Sequence, residues 1–318
     1  MQPNSRPPPI RGKRPQTMTD LTLSAALRHY EYNAALFDGR AHDGLTLANA
    51  SYEGALLNAM RAMLRERAYD LCEMSPSSYL IARQAGAPLV GLPVFPFCQY
   101  PLGQIVVRAG SPITEPRQLQ GTTIGVRTWA QPTAVWARSY LMDYLGVDLS
   151  SVTWVFVADD PVPGLRRPAG AVERRGKSLA SLLASGAVEA VIGQHDMPEG
   201  GRALIADPEG AAAQWTRDTG VVPANHLLVL DARHLGSDAP ERVCRRFADV
   251  VREHLAQGDI HRGVIGELLR INPHLPPLPI GRKANERMWR ALVNTMVRQG
   301  MIDPVPEPMD LLFDWNPA

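Results

Sequence analysis

The chain has 318 residues, of which 45% are hydrophobic and 20% are charged, with 33 Lys and Arg against 32 Asp and Glu. This length fits two domains of about 100–200 residues each, and the composition excludes global disorder. With a formal net charge of +1, the chain lacks the excess of basic residues that is typical of a nucleic-acid-binding protein. No segment approaches the ~20 apolar residues of a membrane span. Neither a nucleic-acid nor a membrane partner is therefore expected.

The three cysteines are Cys72, Cys98 and Cys244, and no two of them have the spacing of a zinc or redox pair. We therefore expect no disulfide scaffold, no metal site and a reducing, cytoplasmic location. Residues 1–17 are rich in Pro and Arg and lack the apolar core of a secretory signal. They are predicted to be a disordered leader.

Short apolar runs alternate with helical stretches along the chain, which is typical of an α/β protein. Strands are predicted at residues 21–27, 45–51, 69–74, 89–94, 104–108, near 123–126, 152–157, 190–193 and 226–231. Helices are predicted at residues 52–67, after the serines at 75–78, and at 131–145, 178–185, 211–219, 240–257, 262–271 and 285–299.

The strands at 104–108 and 226–231 bracket the middle unit of the chain and are predicted to form its hinge. This order predicts a discontinuous first lobe, residues 18–107 plus 227–318, and an inserted second lobe, residues 108–226. The cleft between two such lobes is a favoured ligand site.

Several segments occur together in a familiar order. They include Glu73–Tyr79 (Glu-Met-Ser-Pro-Ser-Ser-Tyr), Thr133–Arg138 (Thr-Ala-Val-Trp-Ala-Arg) and Pro223–His226 (Pro-Ala-Asn-His). From about residue 21 to 255, the chain resembles the 4,5-dihydroxyphthalate decarboxylase family. The resemblance implies a periplasmic-binding-protein type II-like fold, with two three-layer domains joined by two crossing strands. It also implies a cytoplasmic enzyme without an organic cofactor, which removes one carboxylate from 4,5-dihydroxyphthalate to leave protocatechuate.

Two windows depart from the family pattern. After Phe97 the family carries two arginines and a histidine, and these positions fall on Cys98, Pro101 and Leu102 here. The segment after residue 193 often carries Arg in the family, whereas this chain has Gln194 and His195. The resemblance therefore carries over the fold more strongly than the namesake substrate.

Decarboxylation of a hydroxybenzoate needs a general acid that protonates the ring carbon before carbon dioxide leaves. Glu73 ends an apolar strand, where desolvation would raise its pKa toward a useful range, and is the first candidate acid. His226 matches a family position and is the second catalytic candidate. The alternatives are that Glu73 caps a turn or pairs with an arginine, and that His226 is structural.

Hydroxyls, helix N-terminal amides and guanidinium groups are suited to holding the substrate's carboxylates. The helix that begins near Gln131 is expected to point its N-terminus at the cleft. The substrate-binding candidates are Tyr30, Ser75, Ser77, Ser78, Arg108, Arg127, Thr128, Gln131, Thr133, Gln194 and His195.

Two functional hypotheses follow. The first is a decarboxylase of a hydroxylated, phthalate-like aromatic carboxylate. The second is a non-catalytic solute-binding protein that closes on a small aromatic or carboxylated ligand. Either hypothesis predicts a small aromatic carboxylate as the ligand, and homo-oligomer formation stays open.

Overall fold

The computed structural model describes residues 20–49, 55–258 and 260–317. The leader expected over residues 1–17 lies outside this range. So do residues 50–51, at the end of the second predicted strand, and 52–54, at the start of the first predicted helix. Within the described ranges, no helix combines the length and the apolar character needed to cross a bilayer.

The strands form two sheets. The strands are β1 (Leu21–Ala26), β2 (Leu45–Asn49), β3 (Leu71–Met74), β4 (Leu89–Gly91), β5 (Ile105–Arg108), β6 (Thr123–Val126), β7 (Thr153–Phe156), β8 (Val172–Glu173), β9 (Ala190–Ile192), β10 (Gly201–Ala203) and β11 (Leu227–Asp231). The first sheet has the order β2-β1-β3-β11-β4, and the second has the order β10-β5-β9-β6-β7-β8. Each sheet belongs to one lobe, so the molecule is a two-lobed α/β protein.

Helices cover the two sheets. They are α1 (Leu56–Glu66), α2 (Pro76–Gln84), α3 (Pro132–Ser139), α4 (Leu179–Ala184), α5 (Pro208–Thr219), α6 (Ala239–Gln257), α7 (Gly263–Ile271) and α8 (Glu286–Arg298). Helix α2 begins where the sequence indicates, because Ser75 accepts a hydrogen bond from the Ser78 amide and Pro76 occupies the first turn. The helix predicted over residues 131–145 ends earlier as an α-helix and continues as a π-turn over Tyr140–Tyr144.

Strand direction decides which residues face the cleft. In the first sheet β1, β2 and β3 are parallel, whereas β11 runs antiparallel to β3 and β4. In the second sheet β6, β7, β8 and β9 are parallel, whereas β5 is antiparallel to β9. Strands β8 and β10 were not predicted from the sequence. They are only two and three residues long, and each comes after a segment with the composition of a loop.

The chain crosses between the lobes over residues 92–104 and 220–226, and the two crossings pair with each other. Cys98 and Ala224 form an antiparallel bridge, and the Asn225 and His226 amides both donate to the Phe97 carbonyl, at 2.8 and 3.0 Å. The first crossing therefore ends before Ile105, a few residues ahead of the predicted 107/108 boundary. The reason is that all of β5 is hydrogen-bonded into the second sheet.

The carboxyl-terminal helix adds a further contact between the lobes. Helix α8 packs against α3, and Gln299 just beyond it accepts a hydrogen bond from Arg138 Nε at 2.7 Å. The Gln299 amide also donates to the Val135 carbonyl at 3.2 Å. The carboxyl-terminal part of the chain thus holds the second lobe through α3.

Asp70 links β1 to the segment after β11. Its Oδ2 accepts the Ser24 amide at 2.8 Å and the Ser24 hydroxyl at 2.7 Å, and its Oδ1 lies 2.7 Å from His234 Nε2. Burial alone would raise the pKa of this carboxyl, but the hydrogen bonds from His234 and Ser24 outweigh it and hold the pKa at about 2. The ionised form therefore stabilises the folded state.

We predict that Asp70→Asn lowers the free energy of unfolding by about 1–2 kcal/mol at pH 7 in urea titrations. A carboxyl whose pKa is depressed on folding contributes stability above its ordinary pKa of 3.8 and loses it as the pH falls toward 2. The difference between mutant and wild type should therefore shrink below about pH 4. Asp196→Asn, at an exposed carboxylate, is the control, and equal effects of both substitutions would contradict the prediction.

Candidate active site

The candidate site lies where the carboxyl ends of parallel strands meet the antiparallel strand β11. Glu73 belongs to β3, Arg28 and Tyr30 follow β1, and Arg127 follows β6. His226 directly precedes β11. Ligands of open α/β sheets bind outside the carboxyl ends of the strands, so this edge is the expected place for chemistry.

Glu73 and His226 are in contact, which the sequence alone did not establish. Glu73 pairs with Leu228 across the β3–β11 ladder, and His226 lies on the same strand face as Leu228, so the two side chains are diagonal neighbours. His226 Nδ1 lies 2.6 Å from Glu73 Oε1. The Glu73 side chain is 1% exposed, whereas that of His226 is 16% exposed. The carboxylate is therefore enclosed, and the imidazole connects it to the outside.

Two further donors complete the surroundings of the Glu73 carboxylate. The Arg28 amide donates to Oε2 at 2.9 Å, and the Tyr30 hydroxyl donates to Oε1. Burial and the neighbouring Glu73 charge raise the pKa of Tyr30 far above its ordinary value, so the phenol keeps its proton. The Tyr30 oxygen is also 3.2 Å from His226 Nδ1. Tyr30 thus acts as a donor that holds Glu73 in place.

A cavity of about 290 Å³ lies next to His226 and is formed by both lobes. Leu56, Leu57 and Met60 from α1 supply an apolar side. Phe97 supplies an aromatic side, with its ring centroid 5.2 Å from that of His226. The cavity has the size and the mixed lining of a small-molecule site.

Two arginines line this cavity from opposite lobes. Arg28 lies over the rings of Tyr30 and Phe97, at 5.4 and 5.6 Å from the ring centroids. Arg127 is exposed at the end of β6. Within residues 20–49, 55–258 and 260–317, neither guanidinium forms an ion pair with a carboxylate. Both are therefore available to an anionic ligand.

The polar side of the cavity surrounds the N-terminus of α3. Thr128, Gln131 and Thr133 line it, together with Asn225 from the second crossing. Gln131 donates to the Gly193 carbonyl at 3.1 Å, while its side-chain oxygen is buried and has no hydrogen-bond partner in the described chain. Free amides of a helix N-terminus and an unpaired acceptor suit a ligand that carries both an anion and a hydroxyl.

The serines of the family motif divide into two roles. Ser75 and Ser78 line the cavity, and their hydroxyls are 2.7 Å apart. Ser77 does not line it; its hydroxyl donates to the Ala130 carbonyl of the second lobe at 2.5 Å. Ser77 therefore holds the lobes together, which corrects its expected role in substrate binding.

The window that lacks the family's cations is buried. Cys98 is 4% exposed and Leu102 is fully buried, and burial raises the pKa of the Cys98 thiol to about 12. The Tyr100 hydroxyl accepts a hydrogen bond from Asn272 at 2.7 Å. In this chain the window is thus a neutral part of the first crossing and offers no charge to a ligand.

Three predicted binding residues lie elsewhere. Arg108 ends β5, which is antiparallel to β9, so its side chain lies at the opposite edge of the sheet from the cavity. Gln194 and His195 do follow a strand of the correct direction, but neither lines the cavity. The Gln131 side chain packs against Gly193 and fills that space.

Sequence reasoning missed Arg28, Phe97 and Asn225 as lining residues. Arg28 lies two residues beyond β1, and no motif marks it. Asn225 belongs to the segment Pro223–His226 that carries the family resemblance, and this membership could have marked it as a lining residue. Within the part of the chain that the structure describes, no group of three or more His, Cys, Asp or Glu residues is arranged to hold a metal ion.

The sequence was compared with those of known proteins. The chain is 31% identical over 229 residues to a 4,5-dihydroxyphthalate decarboxylase from Comamonas testosteroni, which covers 66% of this chain and 68% of that protein. It is also 31% identical over 223 residues to the enzyme of the same name from Pseudomonas putida, covering 64% of this chain and 85% of that protein.

A family model described as NMT1/THI5 like matches residues 52–166. Among solved structures, a putative periplasmic sulfonate-binding protein from Methylobacillus flagellatus KT superimposes with a TM-score of 0.51 at 13% identity. The match covers 93% of this chain and 92% of that one. These similarities confirm the predicted periplasmic-binding-protein fold. The identity to the curated relatives shows that the chain belongs to the 4,5-dihydroxyphthalate decarboxylase family.

Proposed function

We propose that the protein is a carboxy-lyase that removes a carboxylate from a hydroxylated, phthalate-like aromatic acid by ring protonation. The observation that carries the proposal is the buried Glu73 hydrogen-bonded to His226 at the wall of a cavity that two arginines line. Neither arginine forms an ion pair within the described part of the chain. The arginines would serve a solute-binding protein as well as an enzyme, because both must hold an anionic ligand. The buried carboxylate that orients a partly exposed histidine favours the enzyme, because this arrangement is suited to proton transfer.

His226, rather than Glu73, is the proposed proton donor. Glu73 is enclosed by three partners, whereas His226 lines the cavity. A carboxylate facing Nδ1 requires a proton on that nitrogen, so Nε2 is the ring atom left for the substrate. Glu73 then acts as a positioning residue that also stabilises the imidazolium form. This assignment moves the acid function that the sequence suggested for Glu73 to its partner.

The proposed reaction begins with transfer of the Nε2 proton from the imidazolium to the ring carbon that carries the leaving carboxylate. A para hydroxyl donates electron density to the ring at this stage. The bond between that carbon and the carboxylate then breaks, its electron pair restores the aromatic ring, and carbon dioxide leaves. Solvent reprotonates His226. One proton is consumed for each carbon dioxide that is released.

Arg28 and Arg127 are the proposed carboxylate anchors. They replace the cations that the family carries in the window now occupied by Cys98, Pro101 and Leu102. Guanidinium groups bind carboxylates in a bidentate manner, and ortho carboxylates on one ring present two such targets. The apolar side formed by Leu56, Leu57 and Met60 favours release of a neutral product such as carbon dioxide.

We predict that the purified protein releases carbon dioxide from 4,5-dihydroxyphthalate or a close hydroxylated analogue. His226→Asn should lower kcat by about 10²–10⁴-fold, because it removes the proton donor. Carbon dioxide release is followed over a panel of phthalate, 4,5-dihydroxyphthalate, protocatechuate and related hydroxybenzoates.

His274→Asn, which replaces an exposed histidine away from the cavity, is the matched control and should leave kcat unchanged. Full activity of His226→Asn would exclude the proposed proton donor. Binding of panel members without any release would instead support the solute-binding hypothesis.

We further predict that Arg28→Gln and Arg127→Gln each raise KM by about tenfold or more, because each removes one charge-assisted contact to a carboxylate. Arg108→Gln changes the same residue type on the far edge of the second sheet and should leave KM unchanged. Steady-state kinetics with a dicarboxylate and a matching monocarboxylate separate the two anchors. An equal effect of all three substitutions would contradict the assignment.

A further inference from the structure

A second cavity lies in the inserted lobe, behind α3. It has a volume of about 500 Å³ and is bounded by α3, the loop before β7, and the end of α8. Trp129 and Trp154 form aromatic walls, with ring centroids 5.2 Å apart, and Leu149 and Val147 add aliphatic surface. None of these four residues lines the cleft next to His226.

Two buried donors in the lining of this cavity lack partners. Arg138 is fully buried, and its NH1 nitrogen has no hydrogen-bond partner among the described residues. The Trp129 indole nitrogen is likewise buried and unpaired over the same ranges. Buried polar groups in native proteins are nearly always hydrogen-bonded, so two orphaned donors in one cavity indicate a missing acceptor.

Arg138 forms no ion pair within the described residues, although the Asp160 charge acts on it from a distance. Its NH2 and Nε groups donate to the neutral Trp129 carbonyl and Gln299 side chain, each at 2.7 Å. Its guanidinium lies 3.7 Å from the centroid of the Trp129 ring. A buried cation without an ion-pair partner is costly. Burial lowers the pKa of Arg138 to about 9 against the opposing effect of the Asp160 charge, which leaves the guanidinium charged at neutral pH.

Asp160 and Asp143 already have partners. Asp160 accepts the Trp129 and Ala130 amides and pairs with Arg167 at 3.2 Å. Asp143 pairs with Arg298 at 2.9 Å. Asp148 also lines the cavity, where it is exposed and accepts the Ser150 amide at 2.9 Å. Within the described ranges, none of these three carboxylates forms an ion pair with Arg138.

We infer that this cavity is a second binding site, for a small organic acid whose carboxylate meets Arg138 and Trp129. The flat or apolar body of the acid would lie against Trp154 and Leu149, which an inorganic anion would leave uncovered. The inference does not depend on the proposed reaction, because binding at this site requires no turnover.

The test uses 4-fluorobenzoate as the probe and follows its binding to the full chain by fluorine NMR. The Arg28→Gln/Arg127→Gln variant removes the proposed anchors of the cleft and leaves the second cavity unchanged. It should retain one binding site. Adding Ala169→Trp, at an exposed residue of the second cavity's lining, should weaken that binding at least tenfold, because the indole fills the space.

Ala184→Trp, at an exposed residue of α4 outside the cavity, is the matched control and should leave the affinity unchanged. Ser150→Trp fills the same cavity from a different loop and serves if Ala169→Trp does not fold. Loss of all binding in the double arginine variant would overturn the inference. So would unchanged affinity in both filled variants, or competition by sulfate with no binding of the organic acid.

Discussion

The hydrogen bond between Glu73 and His226 is the interaction on which the organisation of the site depends. It forms because β11 is inserted antiparallel beside β3, which makes a residue inside one strand the diagonal neighbour of a residue just before the other. The same His226 amide donates to Phe97 in the first crossing. One residue thus joins the buried carboxylate, the crossing between the lobes and the wall of the cleft.

The cleft combines this hydrogen-bonded pair with charges from both lobes. Arg28 and Arg127 approach from different sheets, so a dicarboxylate held between them would also hold the lobes together. The contact of α8 with α3 and the hydrogen bond from Ser77 to Ala130 already connect the lobes. In this chain the window from Cys98 to Leu102 is a neutral and buried part of the crossing, so the guanidinium groups that line the cleft come from the strand ends instead.

Much of this architecture was predictable from the sequence, and the exceptions have physical reasons. Glu73 was identifiable because it ends an apolar strand before a capped helix, and both features are local. Arg108 was misplaced because the direction of β5 follows from strand pairing, which no local pattern reports. Arg28 was missed because its position depends on a turn after β1 and on stacking with Phe97, a contact distant in sequence. No local sequence pattern predicts that Arg138 is buried against Trp129 and Gln299.

The central claim is that Glu73 fixes the His226 ring so that Nε2 serves the cleft, and the tautomer of His226 tests it most directly. Nitrogen-15 NMR of the labelled protein with a neutral His226 imidazole should find the ring proton on Nδ1. In Glu73→Gln, whose amide can donate as well as accept, the Nε2–H form should rise. An Nε2–H tautomer in the wild-type protein, or one unaffected by Glu73→Gln, would contradict the account.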